Sequence, residues 1–254
     1  MSIGSLNNQS VLVTGSSSGI GLAIARSAHQ AGARVIQHGI EDQPQENIPE
    51  ALYLQQELNG LEGPKALLES ALEVDPELSL LVCNAGVCQN TPFLEMTEER
   101  WDLTMDINLK ANYFLIQKFA RHLQQKQLPG AVVITASING FQAELTSSAY
   151  DVSKGGLVMM IRGLAVELAD MDIRVNGIAP GLIYTEATQS GFAKNPGKME
   201  HFERKILRRR IGEPEDCSGA AVFLLSPAAS YITGEIIVID GGLTVSQIGD
   251  LPPS

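Results

Sequence analysis

Val11-Leu-Val-Thr-Gly15-Ser-Ser-Ser-Gly19-Ile-Gly21-Leu22-Ala-Ile-Ala-Arg26 joins a short apolar run to an amphipathic segment through a turn with three glycines. The run has the unbroken Val/Leu character of a strand buried on both faces. The segment after Gly19 has helical periodicity, and the first N–H groups of a helix find no partner inside it. Those groups, with the positive end of the helix dipole, suit a pyrophosphate, and glycines let the backbone come close to it. Ser16, Ser17 and Ser18 add hydroxyl donors. The spacing is GxxxGxG rather than GxGxxG, so taken alone it is also compatible with a plain tight turn.

The same alternation of apolar run and amphipathic segment continues along the chain. Candidate strands are Ser10–Thr14, Ala33–Gln37, Ala51–Leu54, Ser79–Cys83, Ala131–Ala136, Arg174–Ile178 and Ile236–Ile239. Helical patterns cover Gly19–Gln30, Lys65–Val74, Glu98–Gln124, Ser148–Ala169 and Glu215–Leu225. Strand–helix alternation with right-handed crossovers predicts one α/β domain over residues 1–254: a doubly wound, mainly parallel sheet of about seven strands flanked by helices. Pro44 and Pro49 oppose a regular helix in the second crossover. No repeat, low-complexity linker or shift in composition marks a second domain.

The composition is that of a globular protein, with 44% hydrophobic residues and 19% charged. The net charge of −11 and a pI near 4.8 disfavour a nucleic-acid partner, since phosphate backbones reward a clustered basic surface. The one dense basic run, Arg208-Arg209-Arg210, is followed at once by Glu213, Glu215 and Asp216. Three cysteines (Cys83, Cys88, Cys217) without a CxxC pair, and four histidines without HxxxH or HxH spacing, give neither a disulfide framework nor a metal site. The first residues lack a basic stretch followed by an apolar one, and no run nears the ~20 apolar residues of a membrane span. A cytoplasmic location and no membrane partner are the expectation.

Three further motifs follow the glycine turn in order: Asn84-Ala85-Gly86 after the fourth strand, Ser137 at the end of the fifth, and Tyr150-Asp-Val-Ser-Lys154 on the next helix. Together with Thr14-Gly15…Gly19-Ile20-Gly21 they resemble the short-chain dehydrogenase/reductase family, over about residues 8–244. The ordered set is highly specific, though no member is so alone. The resemblance implies a Rossmann-like fold, a nicotinamide cofactor, and hydride transfer between that cofactor and a secondary alcohol or ketone. It also implies a homotetramer or homodimer.

The residues themselves suit that chemistry. Tyr150 and Lys154 are four apart and share one helix face. A free phenol titrates near pH 10, and a neighbouring ammonium should pull that value down, so Tyr150 can take or give the alcohol proton. The two glycines after Lys154 predict a large neighbour packed close against that helix. By resemblance, Ser137 orients the substrate oxygen, Lys154 also holds the nicotinamide ribose, and Asn108 completes a proton relay through a water to the lysine. Asn84, Ala85 and Gly86 would shape the cofactor site. Pro180-Gly181 open a loop in which the Ile183 backbone and Thr185 hydroxyl would hold the carboxamide. The tail with Asp240-Gly241-Gly242 reads as structural and subunit-packing sequence.

Cofactor choice lies after the second strand, at His38-Gly39-Ile40-Glu41-Asp42. An acid there holds the ribose 2′-hydroxyl of NAD, whereas an Arg receives the phosphate of NADP. The family's acidic position holds Gly39, and the position of the NADP-preferring Arg holds Ile40. With no basic residue nearby and Glu41 and Asp42 adjacent, NAD is favoured over NADP. Glu57 and Leu58 occupy the adenine-contacting positions. Residues 185–212, interrupted by Gly191, Pro196 and Gly197, predict a substrate lid. Asn139, Gln142, Glu144 and Tyr184, with His201 reaching in from the lid, point with Ser137 and Tyr150 to a small polar substrate such as a sugar or polyol. Two alternatives stand beside this one. A 3-oxoacyl-thioester (acyl carrier protein) reductase would use the arginine run. A non-catalytic dinucleotide-sensing regulator would have lost Ser137, Tyr150 or Lys154.

Overall fold

Seven parallel strands form one sheet in the order β3-β2-β1-β4-β5-β6-β7, so the chain winds to one side of β1 and then to the other. The computed structural model describes residues 4–186, 188–189 and 196–245. The strands are β1 (Ser10–Val13), β2 (Arg34–Gly39), β3 (Leu52–Gln55), β4 (Leu80–Cys83), β5 (Gly130–Thr135), β6 (Ile173–Pro180) and β7 (Ile236–Ile239). Every pairing is parallel.

Alternate residues of the central strands feed two apolar layers, as a period of two requires. Leu12, Leu81, Val132 and Ile134 face α2 (Glu62–Val74), α4 (Ala111–Lys126) and α5 (Ser148–Glu167), where they meet Leu67, Phe119 and Ile161. Val11, Val13, Leu80, Val82 and Val133 face α1 (Gly19–Gln30) and α7 (Pro214–Leu225), where they meet Ile24, Cys217 and Leu224. Covering both faces explains the unbroken apolar runs. Cys83 is a core residue, as its apolar context implies. The edge strands β3 and β7 are only partly buried. The segment between β2 and β3 has no regular helix, in keeping with Pro44 and Pro49.

Two expectations need correction. The single helical pattern Glu98–Gln124 is three pieces: α3 (Glu98–Met105), a π-helical turn over Asp106–Lys110, and α4. Asn108 lies in that turn and is fully buried; its side chain binds the Val87 backbone, a tertiary demand that a uniform helical repeat does not reveal. Pro196 and Gly197 do not break up residues 196–205, which form α6 (Pro196–Lys205). Gly191 lies outside the described residues.

Candidate active site

At the carboxyl ends of the strands lies one cavity of about 1260 Å³, the place where open α/β sheets bind ligands. Its floor is the β1–α1 turn. Gly15 has φ +61°, and a Cβ there would stand 2.8 Å from Ala85 Cα. Gly21 does not line the cavity; it lets α1 press onto the Gly15 carbonyl and the Asn84 side chain. The Asn84 amide donates to that carbonyl (3.0 Å), and the Thr14 hydroxyl accepts from the backbone N–H groups of Asn84 and Ala85. Ser18 begins α1 in an extended conformation without capping it with its side chain, so the helix N-terminus opens toward the cavity beside Ser17, Gly19 and Ile20.

His38 lines the same wall, yet both its ring nitrogens serve the protein. Nδ1 accepts from the Gly15 N–H (3.1 Å), and Nε2 lies 2.9 Å from the Gln56 carbonyl, which fixes the proton on Nε2. Burial holds its pKa below the ordinary value, so the ring is neutral and acts as a strut from β2 to the glycine turn. Gly39, Ile40, Glu57 and Leu58 complete this end of the cavity, where the Glu57 carboxylate accepts from Asn59 (2.9 Å), and Gly86 lines the cavity beside Asn108.

The reaction end is built on β5 and α5. Ser137 follows β5, accepts from the Asn139 N–H (3.1 Å) and shares a hydrogen bond with Tyr150. Lys154 is 5% exposed; its ammonium donates to the Thr135 carbonyl (2.9 Å) and lies over the Tyr150 ring, 5.5 Å from the centroid. A Cβ on Gly156 would stand 2.9 Å from Leu109 Cδ1, so Leu109 is the close neighbour that the glycines allow. Asn108 does not line the cavity: its Oδ1 accepts from the Val87 N–H (2.7 Å), and its amide donates to the Val87 carbonyl and the Ser153 hydroxyl. Its own carbonyl accepts from Asn112 (2.7 Å).

Charge behaves differently here from what the Tyr150–Lys154 spacing suggests. Burial dominates both groups. It raises the Tyr150 pKa well above that of a free phenol, against the lowering by the Ser137 hydrogen bond, and it pulls Lys154 down to about 8. In the protein without its cofactor, Tyr150 is a neutral donor.

Pro180 at the end of β6, and Gly181, Ile183 and Thr185 after it, line the cavity. Thr188, which no sequence signal marks, accepts from the Thr185 N–H and donates to the Ile183 carbonyl (2.9 and 2.8 Å), while Ile183 pairs with Gly212. Asn139, Gln142 and Glu144 line the reaction end, and the Asn139 amide donates to Asp151 (2.7 Å). Tyr184 and His201 do not line the cavity. Tyr184 packs in a small apolar cluster with Leu182, Phe202, Ile206 and Ile211. His201 is exposed, edge-on to Phe202. Cys88 and Leu103 line the wall beside the reaction end without a motif to mark them. Among the described residues no cluster could hold a metal ion, and no helix is long and apolar enough to cross a membrane. The glycine cradle, the open helix N-terminus and the volume fit a dinucleotide together with a small substrate.

Residues 15–244 match the family model described as enoyl-(acyl carrier protein) reductase. The human dehydrogenase/reductase SDR family member 4 is 38% identical over 93% of this chain and 88% of its own length. The 3-oxoacyl-[acyl-carrier-protein] reductase FabG of Rickettsia felis is 35% identical over 94% of this chain and 98% of its own. A crystal structure from Agrobacterium tumefaciens, provisionally described as a 2-deoxy-D-gluconate 3-dehydrogenase with bound NADP, superposes with a TM-score of 0.90 at 34% identity. It covers 97% of this chain and all of that one.

Proposed function

Since the chain belongs to the short-chain dehydrogenase/reductase family and is an NAD(P)-dependent oxidoreductase, we propose that it interconverts a small polar secondary alcohol, such as a sugar or polyol, and its ketone. The observation that carries this is the convergence of Ser137, Tyr150 and Lys154 at one end of a cavity whose other end is a glycine cradle. The nicotinamide, when bound, supplies or accepts the hydride.

The protein's own groups handle the rest. The amides at the start of α1 and the hydroxyl of Ser18 would hold the pyrophosphate beside Ser17, and Ile183 and Thr185 the carboxamide. Ser137 and Tyr150 would share the substrate oxygen. In reduction the neutral Tyr150 phenol gives its proton to the developing alkoxide; in oxidation its phenolate takes one. Lys154 would bind the nicotinamide ribose and compensate charge on Tyr150. The Asn108 side chain is engaged with Val87 and Ser153, so a water relay to Lys154 would start from its backbone carbonyl.

The polar reaction end, with Asn139, Gln142 and Glu144, supports a hydroxylated substrate, as does the likeness to a structure described as a sugar-acid dehydrogenase. The relative from Rickettsia felis supports carrier-protein reduction as the second reading. Arg210 counts against it, being tied to Asp216 and not free for an acidic partner. A panel of sugars, polyols, hydroxy acids, hydroxysteroids and acetoacetyl thioesters decides between them. Turnover of steroids or thioesters alone would overturn the sugar or polyol assignment.

NAD is the cofactor in this proposal, because residues 38–42 bring Glu41 and no Lys or Arg to the cavity wall, the described cationic lining residues Lys154, Arg204 and Lys205 coming from α5 and α6. The segment 185–212 would act as the lid. Assembly into a homotetramer or homodimer is supported by Val152, Met159 and Val166, exposed at seven-residue spacing on α5. A monomer in sedimentation at working concentration would remove that part. A cytoplasmic location completes the proposal, and fractionation of the source cells tests it.

A further inference from the structure

We propose that Glu41, rather than the residue at the end of β2, selects the nicotinamide cofactor, by reaching back across Gly39 to set a carboxylate at the ribose end of the cavity. This rests on the NAD reading above and assigns the group responsible for it.

Glu41 lies in the irregular segment after β2 and lines the cavity. Its side chain folds back along the chain. Oε2 accepts from the Ile40 N–H (3.2 Å), and the Ser17 hydroxyl of the phosphate turn donates to the carboxylate. A Cβ on Gly39 would stand 2.7 Å from Oε2 and 2.8 Å from Ser17 Cβ, and would also strike the Tyr53 hydroxyl. The space that a side chain at 39 would fill is thus taken by the carboxylate from 41, and Gly39 must lack a side chain for it to arrive there. The turn is held in this shape from β3: Tyr53 donates to the Glu41 carbonyl (2.8 Å), and Gln55 donates to the Ile40 carbonyl (2.9 Å).

Asp42 is the other nearby acid, but it does not line the cavity and accepts from Gln55 (3.1 Å). His38 brings no compensating charge, since burial keeps it neutral. A carboxylate offers about four acceptor sites, so room remains for a ribose hydroxyl beside the donors already present. A 2′-phosphate brought to the same place would meet a fixed negative charge that, among the described residues, is in no salt bridge with a Lys or Arg.

Calorimetric titration with NADH and with NADPH tests this without a known substrate. In the unmodified protein NADH should bind more tightly. Glu41→Gln keeps the shape and removes the charge, and Glu41→Ala removes both. Each should narrow the NADH/NADPH ratio by about tenfold or more, the scale of one charge-assisted hydrogen bond. Asp42→Asn should leave the ratio within about threefold, a change worth less than one neutral hydrogen bond. If Glu41→Gln and Glu41→Ala keep the original ratio while NADH remains preferred, the role of Glu41 is wrong and the NAD reading survives. If the unmodified protein binds NADPH more tightly, both fall.

Discussion

The Lys154 ammonium lies over the face of the Tyr150 ring, 5.5 Å from its centroid, and donates to the Thr135 carbonyl at 2.9 Å. Two potentially charged groups are thereby buried together in a low-dielectric pocket. Burial penalises each in its charged form, which leaves Tyr150 protonated and Lys154 poised at about 8.

Reduction and oxidation should therefore respond differently to pH. In the proposed mechanism reduction draws on the protonated phenol, the form present at neutrality, and oxidation on the phenolate, whose share grows by about tenfold per pH unit below its pKa. We expect kcat/KM for alcohol oxidation to climb from pH 7 into the alkaline range while the reductive value stays level. Equal profiles in the two directions would remove Tyr150 as the titrating group.

Tyr150→Phe should lower turnover by at least 10²–10⁴-fold, the usual worth of a positioned acid–base group. Calorimetry should show cofactor affinity nearly unchanged, because the glycine cradle is untouched. Near-normal turnover would exclude the proton role.

Lys154 also marks the stability of the cofactor-free protein. Its folded pKa of about 8 lies below the value of about 10.4 for an unfolded lysine. The unfolded chain therefore binds the proton more tightly, and stability rises with pH between those two values. Lys154→Met removes this dependence. The melting temperature of the variant, relative to the unmodified protein, should be highest below pH 8 and fall steadily toward pH 10. A constant difference across that range would contradict the buried, depressed ammonium.

Two glycines should behave oppositely. A methyl at Gly21 would enter the Gly15 carbonyl and the Asn84 side chain, whereas one at Gly219, exposed within α7, meets nothing within 4 Å. Gly21→Ala should weaken dinucleotide binding in calorimetry. Gly219→Ala should leave binding alone and add about 0.5–1 kcal/mol in denaturant unfolding, the ordinary gain of alanine over glycine in a helix.

Arg174 on β6 donates to the carbonyls of Leu224, Leu225 and Ser226, closing the C-terminus of α7 at 2.6–3.2 Å. Its positive charge also meets the negative end of the helix dipole. Arg174→Met should destabilise the fold by about 2 kcal/mol and lower the melting temperature by roughly 4–8 °C. No loss in thermal or denaturant melts would count against it as a cap.

The sheet was legible because burial on both faces leaves unbroken apolar runs, and the glycine turn was legible because its φ angles and close contacts admit little else. Tyr150, Lys154 and Ser137 stood out because four-residue helical spacing and a strand end are local quantities. Their pKa values were not local. A neighbouring ammonium suggested a lowered phenol, and only the depth of the pocket reversed the sign. The break in the long helix at Asn108 was likewise hidden, because its cause is a backbone segment 21 residues earlier, at Val87.

By itself, the order of residues determined the parallel doubly wound fold, the place of the glycine turn between β1 and α1, and the shared helix face of Tyr150 and Lys154. Each depends on periodicity or on the conformational limits of a few neighbours. Tertiary structure alone decided that His38 is a strut, that Tyr184 and His201 stand away from the cavity, and that the Glu41 carboxylate returns across Gly39. These depend on where side chains from separate elements meet and how much water is left between them. Hydrogen-bond partners and desolvation belong to the folded arrangement, not to sequence spacing.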